Sequence, residues 1–221
     1  MDFLKQLIFN RFRTFALLTM CMVISIILLM VRIKLTHSFF YLFLVWNLFL
    51  AIIPFAITIY LLSLAKLSRM GILIAFGIWL LFLPNAAYIV TDLIHLRLSD
   101  NNILWLDFIL VSSFAITGLM FFYYSIAYMK NILETYLNKK TITYVVNFTL
   151  FVSAFGIFLG RFLRYNSWEI LSNPKYLIVD ILNIVFNPIT YKGAWLFTLM
   201  FGMFLWQGHW VFKKFYSTPS K

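Results

Sequence analysis

The run SFFYLFLVWNLFLAIIPFAITIYLLSLA, residues 38–65, holds no charged side chain along its whole length. About 20 apolar residues suffice for a helix to cross the hydrocarbon of a bilayer. Lipid offers no partner to free backbone groups, so such a run must close its hydrogen bonds internally, as a helix. Thr14–Val31, Met70–Val90, Phe108–Met129, Thr141–Gly160 and Gly193–Phe212 read the same way, again without an internal charge as bounded here. The expected fold is all-α: a polytopic transmembrane helical bundle of six spans with short connections, one integral membrane domain over residues 1–221. Tyr176–Asn187 is apolar but short, and Asp180 interrupts it. It reads as an interfacial or re-entrant segment, with a seventh span as the alternative.

Composition excludes a water-soluble fold. Hydrophobic residues make up 63% of the chain and charged residues 11%, against roughly 25% charged in soluble domains. With 26 phenylalanines among them, a water-soluble fold has no place to bury that much apolar surface. The formal charge of +11 raises the question of nucleic acid. Nucleic-acid binders gather Lys and Arg in runs or on one face, whereas here no run exceeds Lys139-Lys140 or Lys213-Lys214. The charges flank apolar stretches, where they hold helices against anionic phospholipid headgroups of the lipid bilayer. Nucleic acid is therefore not expected as a partner. Cys21 is the single cysteine, so neither a disulfide framework nor a cysteine metal site is available. No small-x-small site follows the first apolar run, and that span is expected to remain in the protein.

Lys and Arg outside the spans set orientation. With six spans, eleven of the 18 fall on one side, in the N-terminus, the second and fourth loops and the tail. Arg32, Lys34, Arg97, Arg161, Arg164, Lys175 and Lys192 fall on the other. The bias favours both termini in the cytoplasm.

Two stretches carry polar chemistry. Leu83-Pro84-Asn85-Ala86-Ala87-Tyr88 runs through Thr91-Asp92-Leu93-Ile94-His95-Leu96 at the end of the third span. On an α-helix Asn85, Tyr88, Asp92 and His95 would share one stripe. Pro84 would start a new turn or kink the span. An ionisable residue at the hydrocarbon edge is costly and faces a partner or water. Asp92 and His95, one turn apart, could form a charge-assisted pair with His95 as a base, the candidate catalytic residues. They could equally be an interfacial ion pair, and two ligands alone do not make a metal site. Gly160-Arg161-Phe162-Leu163-Arg164 with Tyr165-Asn166-Ser167-Trp168-Glu169 follows the fifth span. If helical, it places two guanidinium groups on one stripe, suited to a phosphate or carboxylate. Tyr165 and Trp168 suit the headgroup region, and an ordinary aromatic belt is the plainer reading. Asn85, Tyr88, Arg161, Arg164, Trp168 and Glu169 are the candidate substrate-binding residues. Both stretches, with Asp107, fall on the outer side of the six-span topology, whereas His209 falls on the inner side.

The two stretches resemble the bacterial membrane proteins grouped as domain of unknown function 1361. The resemblance extends over most of the chain as a pattern of spans. Where that family often has proline before the tyrosine, this chain has Ala87, which eases a continuous helix through Tyr88. The resemblance implies a bacterial plasma membrane and no activity. The readings open at this point are a membrane enzyme acting on a lipid or lipid-linked substrate at the outer face, a non-catalytic partner or assembly protein, and a small transporter component. No cofactor is indicated.

Overall fold

Every backbone donor that lipid surrounds must be satisfied along its own helix, and no strand occurs among the described residues. The computed structural model describes residues 11–64, 67–99, 101–165, 167, 169–172 and 174–216. In chain order the helices are α1 (Phe12–Thr36), α2 (Phe43–Ser63), α3 (Arg69–Tyr88), α4 (Leu104–Leu133), α5 (Lys139–Phe162), α6 (Glu169–Ser172), α7 (Pro174–Phe186) and α8 (Lys192–Tyr216). A 3₁₀ turn, Phe40–Leu42, leads into α2, and a ten-residue 3₁₀ segment, Ile89–Leu98, follows α3 directly.

Five helical stretches are long and apolar enough to cross a membrane: Phe12–Thr36, Phe40–Ser63, Arg69–Leu98, Leu104–Leu133 and Lys139–Phe162. α8 is as long as α1, but Gln207, His209 and three tryptophans lower its hydropathy, and it stands outside the five. α7 has 13 residues; at about 1.5 Å per residue it is too short to cross a hydrocarbon layer of roughly 30 Å alone. Large apolar side chains face outward along the helices, among them Met20, Ile27, Phe49, Leu73, Phe148 and Met200. Soluble proteins do not expose apolar surface on this scale. The chain is a multi-pass integral membrane protein.

Backbone contacts divide it into two compact units, Met1–Ile132 and Leu133–Lys221. In the first, α1 runs antiparallel to α4 along a polar seam. The Arg11 guanidinium lies 4.0 Å from the Tyr128 ring centroid near one end. Ser25 and Thr117 hydroxyls meet at 3.1 Å midway. Arg32 pairs with Asp107 at the other end. α2 and α3 pack side by side, and Phe55 of α2 touches the rings of Phe15, Phe121 and Tyr128. α3 reaches α4 where the Trp79 indole donates to Ser125 Oγ at 2.8 Å. The two backbones approach tightly at Gly118, where an added Cβ would lie 2.4 Å from the Ala86 carbonyl oxygen.

In the second unit α5 packs along α8, and the ring of Phe151 fills the space over Gly202. Leu159, Leu177, Ile184 and Ala194 form a buried cluster that seats α7. Trp195 closes it by donating its indole N–H to the Ile184 carbonyl at 3.0 Å.

Two helices run beyond the apolar runs bounded from the sequence. α1 continues through Arg32, which is buried. α4 begins before Asp107, which lies in its first turn and is fully buried. Opposite charges on adjacent helices neutralise one another, so the apolar run need not end where a charge appears.

Candidate functional site

The C-terminal end of α1, the start of α2, the 3₁₀ segment after α3 and the start of α4 meet at one end of the first unit. There the polar side chains gather.

α3 carries Pro84 inside it and continues to Tyr88. Asn85 and Tyr88, three apart on this helix, are half-buried. Beyond Tyr88 the winding tightens, so the α-helical stripe does not run on to Asp92 and His95. With about 3.0 residues per turn, positions three apart eclipse. Asp92 and His95 therefore stack directly, in a column with Ile89 and Leu98, and the four-residue step from Tyr88 to Asp92 no longer aligns. Thr91 starts the segment by donating to the Tyr88 carbonyl at 2.7 Å. Ser99 N–H closes it on the Leu96 carbonyl at 3.1 Å. Runs of 3₁₀ helix this long are uncommon and often mark a functional segment.

Asp92 is 1% exposed. Its Oδ2 accepts from Asn47 Nδ2 of α2 at 2.7 Å. His95 is half-buried, with its Nδ1 3.2 Å from the Asp92 backbone carbonyl and 3.8 Å from Asp92 Oδ1. Both are acceptors, so this contact calls for the proton on Nδ1. The imidazole lies against Phe43, ring centroids 5.0 Å apart, and Phe40, at 6.3 Å.

A second buried carboxylate holds the residue that follows the 3₁₀ segment. Asp107 Oδ1 accepts from Arg32 Nε at 3.0 Å and its Oδ2 from the Ser99 hydroxyl at 2.6 Å. Arg32 Nη1 also donates to the Ser38 carbonyl at 3.1 Å, and its Cζ lies 4.9 Å from the Tyr41 ring centroid. In the sequence Arg32 reads as a topology charge and Asp107 as a residue of the outer side, and Asn47 and Ser99 carry no motif. A polar residue within an apolar run is the one signal that marks Asn47; its partner lies 45 positions away.

The second stretch belongs to the second unit. Its helix ends at Phe162, so Arg161 sits in the last turn of α5, while Arg164 lies beyond it, exposed and in the left-handed region at φ 63°. The two guanidinium groups do not share a helical stripe. Glu169 opens α6; Trp168 and Asn166 lie outside the described residues. Tyr165 donates its hydroxyl to Asp180 Oδ2 of α7 at 2.7 Å. That bond, with desolvation and the Asp180 charge, raises the Tyr165 pKa above its ordinary value.

Among the described residues no group of three metal-ligating side chains occurs.

A helical membrane protein with buried carboxylates at one end of a four-helix unit is the class these features define. Within that class, residues 46–207 match the family described as protein of unknown function, DUF1361, and the chain belongs to it. The match takes in Asn47, Asp92, His95 and Asp107 and leaves out Arg32. Comparison with curated proteins found no match, and comparison with solved structures found none.

Proposed function

We propose that this protein is a bacterial plasma-membrane enzyme acting on a lipid or lipid-linked envelope substrate at the outer face, with both termini in the cytoplasm and α8 as the sixth span. The Lys and Arg bias supports the orientation. It sharpens once Arg32, paired with Asp107, is no longer counted as a free interfacial charge.

The observation that carries the reading is the state of His95. Its Nδ1 is tied to the Asp92 carbonyl, its ring rests on two phenylalanines, and its side chain keeps 28% exposure. An oriented imidazole at an apolar surface suits general acid–base work on a lipid headgroup. Nε2 takes a proton from an attacking hydroxyl or water and returns it to the leaving group. Asp92, held by Asn47, stabilises the imidazolium formed between these steps. Asn85 and Tyr88 position the substrate; Arg161, Arg164, Trp168 and Glu169 of the second unit are candidate phosphate and headgroup ligands in their own right. α7 lies in the bilayer interface.

Purified protein would be incubated with polar lipid extract of bacterial membranes, and bound and converted lipids followed by mass spectrometry. Wild type should retain and convert a lipid species, while folded His95→Gln and Asp92→Asn retain it without conversion. Retention with no conversion by any form would point to a non-catalytic partner protein. Cysteines at Asp92 and Arg164, with Cys21→Ser, test whether the two stretches share a site: a crosslink supports it, and none under full labelling opposes it.

A further inference from the structure

We propose that Arg32 and Asp107 are positioning residues for His95, holding in register the two connecting segments that wall the imidazole. One of these is the 38–42 connection, which supplies Phe40 and leads into Phe43 at the start of α2; the other is the 3₁₀ segment Ile89–Leu98, which supplies His95 and Asp92.

Each segment is tied to the same buried pair. Arg32 Nη1 holds the Ser38 carbonyl at 3.1 Å, and its guanidinium covers the Tyr41 ring, which is itself in edge contact with Phe40 at 5.0 Å. Asp107 Oδ2 takes the hydroxyl of Ser99, the residue immediately after the 3₁₀ segment, at 2.6 Å. Both ties lean on the pair, because either ion alone would be left uncompensated in an apolar setting. A buried ion pair adds little stability over apolar side chains of similar volume, and its best-attested use is to fix register. Carrying two charges inside membrane-embedded helices therefore needs a reason other than stability. Here the pair connects four elements through one carboxylate and one guanidinium. Its contacts at Ser38 and Tyr41 reach the imidazole through Phe40.

The inference rests on His95 being the working group of the proposed reading. Its test reads the state of His95 without turnover, so the two can fail separately. The protein has three histidines, and ¹⁵N-histidine NMR in detergent distinguishes their tautomers. Carbethoxylation by diethylpyrocarbonate, followed residue by residue, gives their accessibility.

In wild type, His95 should carry a proton on Nδ1, the nitrogen that faces the Asp92 carbonyl. In Arg32→Met/Asp107→Leu, which removes both charges and strands neither, His95 should move toward the ordinary tautomer mixture and carbethoxylate several-fold faster, with His209 unchanged. Ser99→Ala, which removes one tie only, should move it the same way by less and keeps the test alive if the double variant does not fold. Gly202→Ala, which disturbs the packing of Phe151 in the other unit, should leave His95 as it is. An unchanged tautomer and rate in folded Arg32→Met/Asp107→Leu, or in Ser99→Ala where only that variant folds, would overturn the inference. A shifted His95 in a protein that converts no lipid would uphold it and remove the catalytic reading alone.

Discussion

Asn47 of α2 donates its side-chain amide to the buried carboxylate of Asp92 at 2.7 Å, fastening the 3₁₀ segment to a helix 45 positions earlier in the chain. A hydrogen bond to a charged group is worth about 1.5–3 kcal/mol, and a buried acceptor left short of a donor costs a comparable amount. Asn47→Leu should therefore lower stability in detergent by roughly that much. Asn47→Leu/Asp92→Leu should recover a large part of the loss, because both polar partners leave together. Thermal unfolding of the single and double variants checks this; an equal loss in both would show that the amide does not serve the carboxylate.

Gly118 lets α4 approach α3. A methyl group there would meet the Ala86 carbonyl oxygen at 2.4 Å, against backbone that cannot swing aside. Gly118→Ala should force the helices apart and cost about 1–3 kcal/mol, the usual range for overpacking. A variant as stable as wild type would mean that the two helices are not in close contact.

Arg164 adopts φ 63°, a conformation that costs a residue with a Cβ about 1–2 kcal/mol and glycine almost nothing. If the side chain has no ligand, Arg164→Gly should leave stability unchanged or raise it by up to about 1 kcal/mol with lipid retention intact. In the proposed reading stability rises while retention of phosphate-bearing lipid, measured by native mass spectrometry, falls. Retention equal to wild type removes Arg164 from the site.

The Tyr165–Asp180 bond predicts a pH dependence in the second unit. The phenol's pKa is raised above the ordinary value of 10.0, first by its hydrogen bond to Asp180. A raised folded pKa means that this contribution is fully present below the ordinary tyrosine range and is lost as pH rises through the raised value. Ionisation removes the donor and sets a phenolate against the carboxylate. The docking of α7, followed by hydrogen exchange at residues 177–184, should hold at neutral pH and loosen only above about pH 10. Tyr165→Phe should show the loose pattern at every pH. Identical exchange in Tyr165→Phe and wild type would show that the bond does not hold α7.

α7 turns Val179, Leu182 and Phe186 outward while Leu177 and Ile184 face the core. An interfacial helix buries such a face about 5–10 Å into the headgroup boundary. A spin label at Leu182→Cys should sit at that depth by relaxation against lipid-soluble oxygen and a water-soluble nickel complex. Full exposure to the nickel complex would place this face in water.

The membrane class and the helical fold were readable from residues 38–65 and their counterparts, because apolar length and the absence of backbone partners in lipid are properties of a run by itself. The position of the Asp92–His95 pair at the end of the third span was readable for the same reason. Its local geometry was not. Propensity and spacing cannot tell a 3₁₀ segment from an α-helix when both are apolar, and that difference broke the stripe expected from Asn85 to His95. Likewise nothing in the Arg161–Arg164 spacing showed that α5 would end at Phe162 and separate the two arginines.

What tertiary structure alone decided is which charges are partners. Arg32 was bounded out of the first span because an isolated cation does not belong in hydrocarbon. Asp107, 75 positions later, gives it a partner inside the bundle. Asn47 and Ser99 looked like incidental polar residues until α2 and α4 brought them to carboxylates. The sequence by itself determined that this chain lives in a bilayer as helices, since that follows from short-range composition. Pairing across 45 and 75 positions follows from helix packing, and only the packed bundle reveals it.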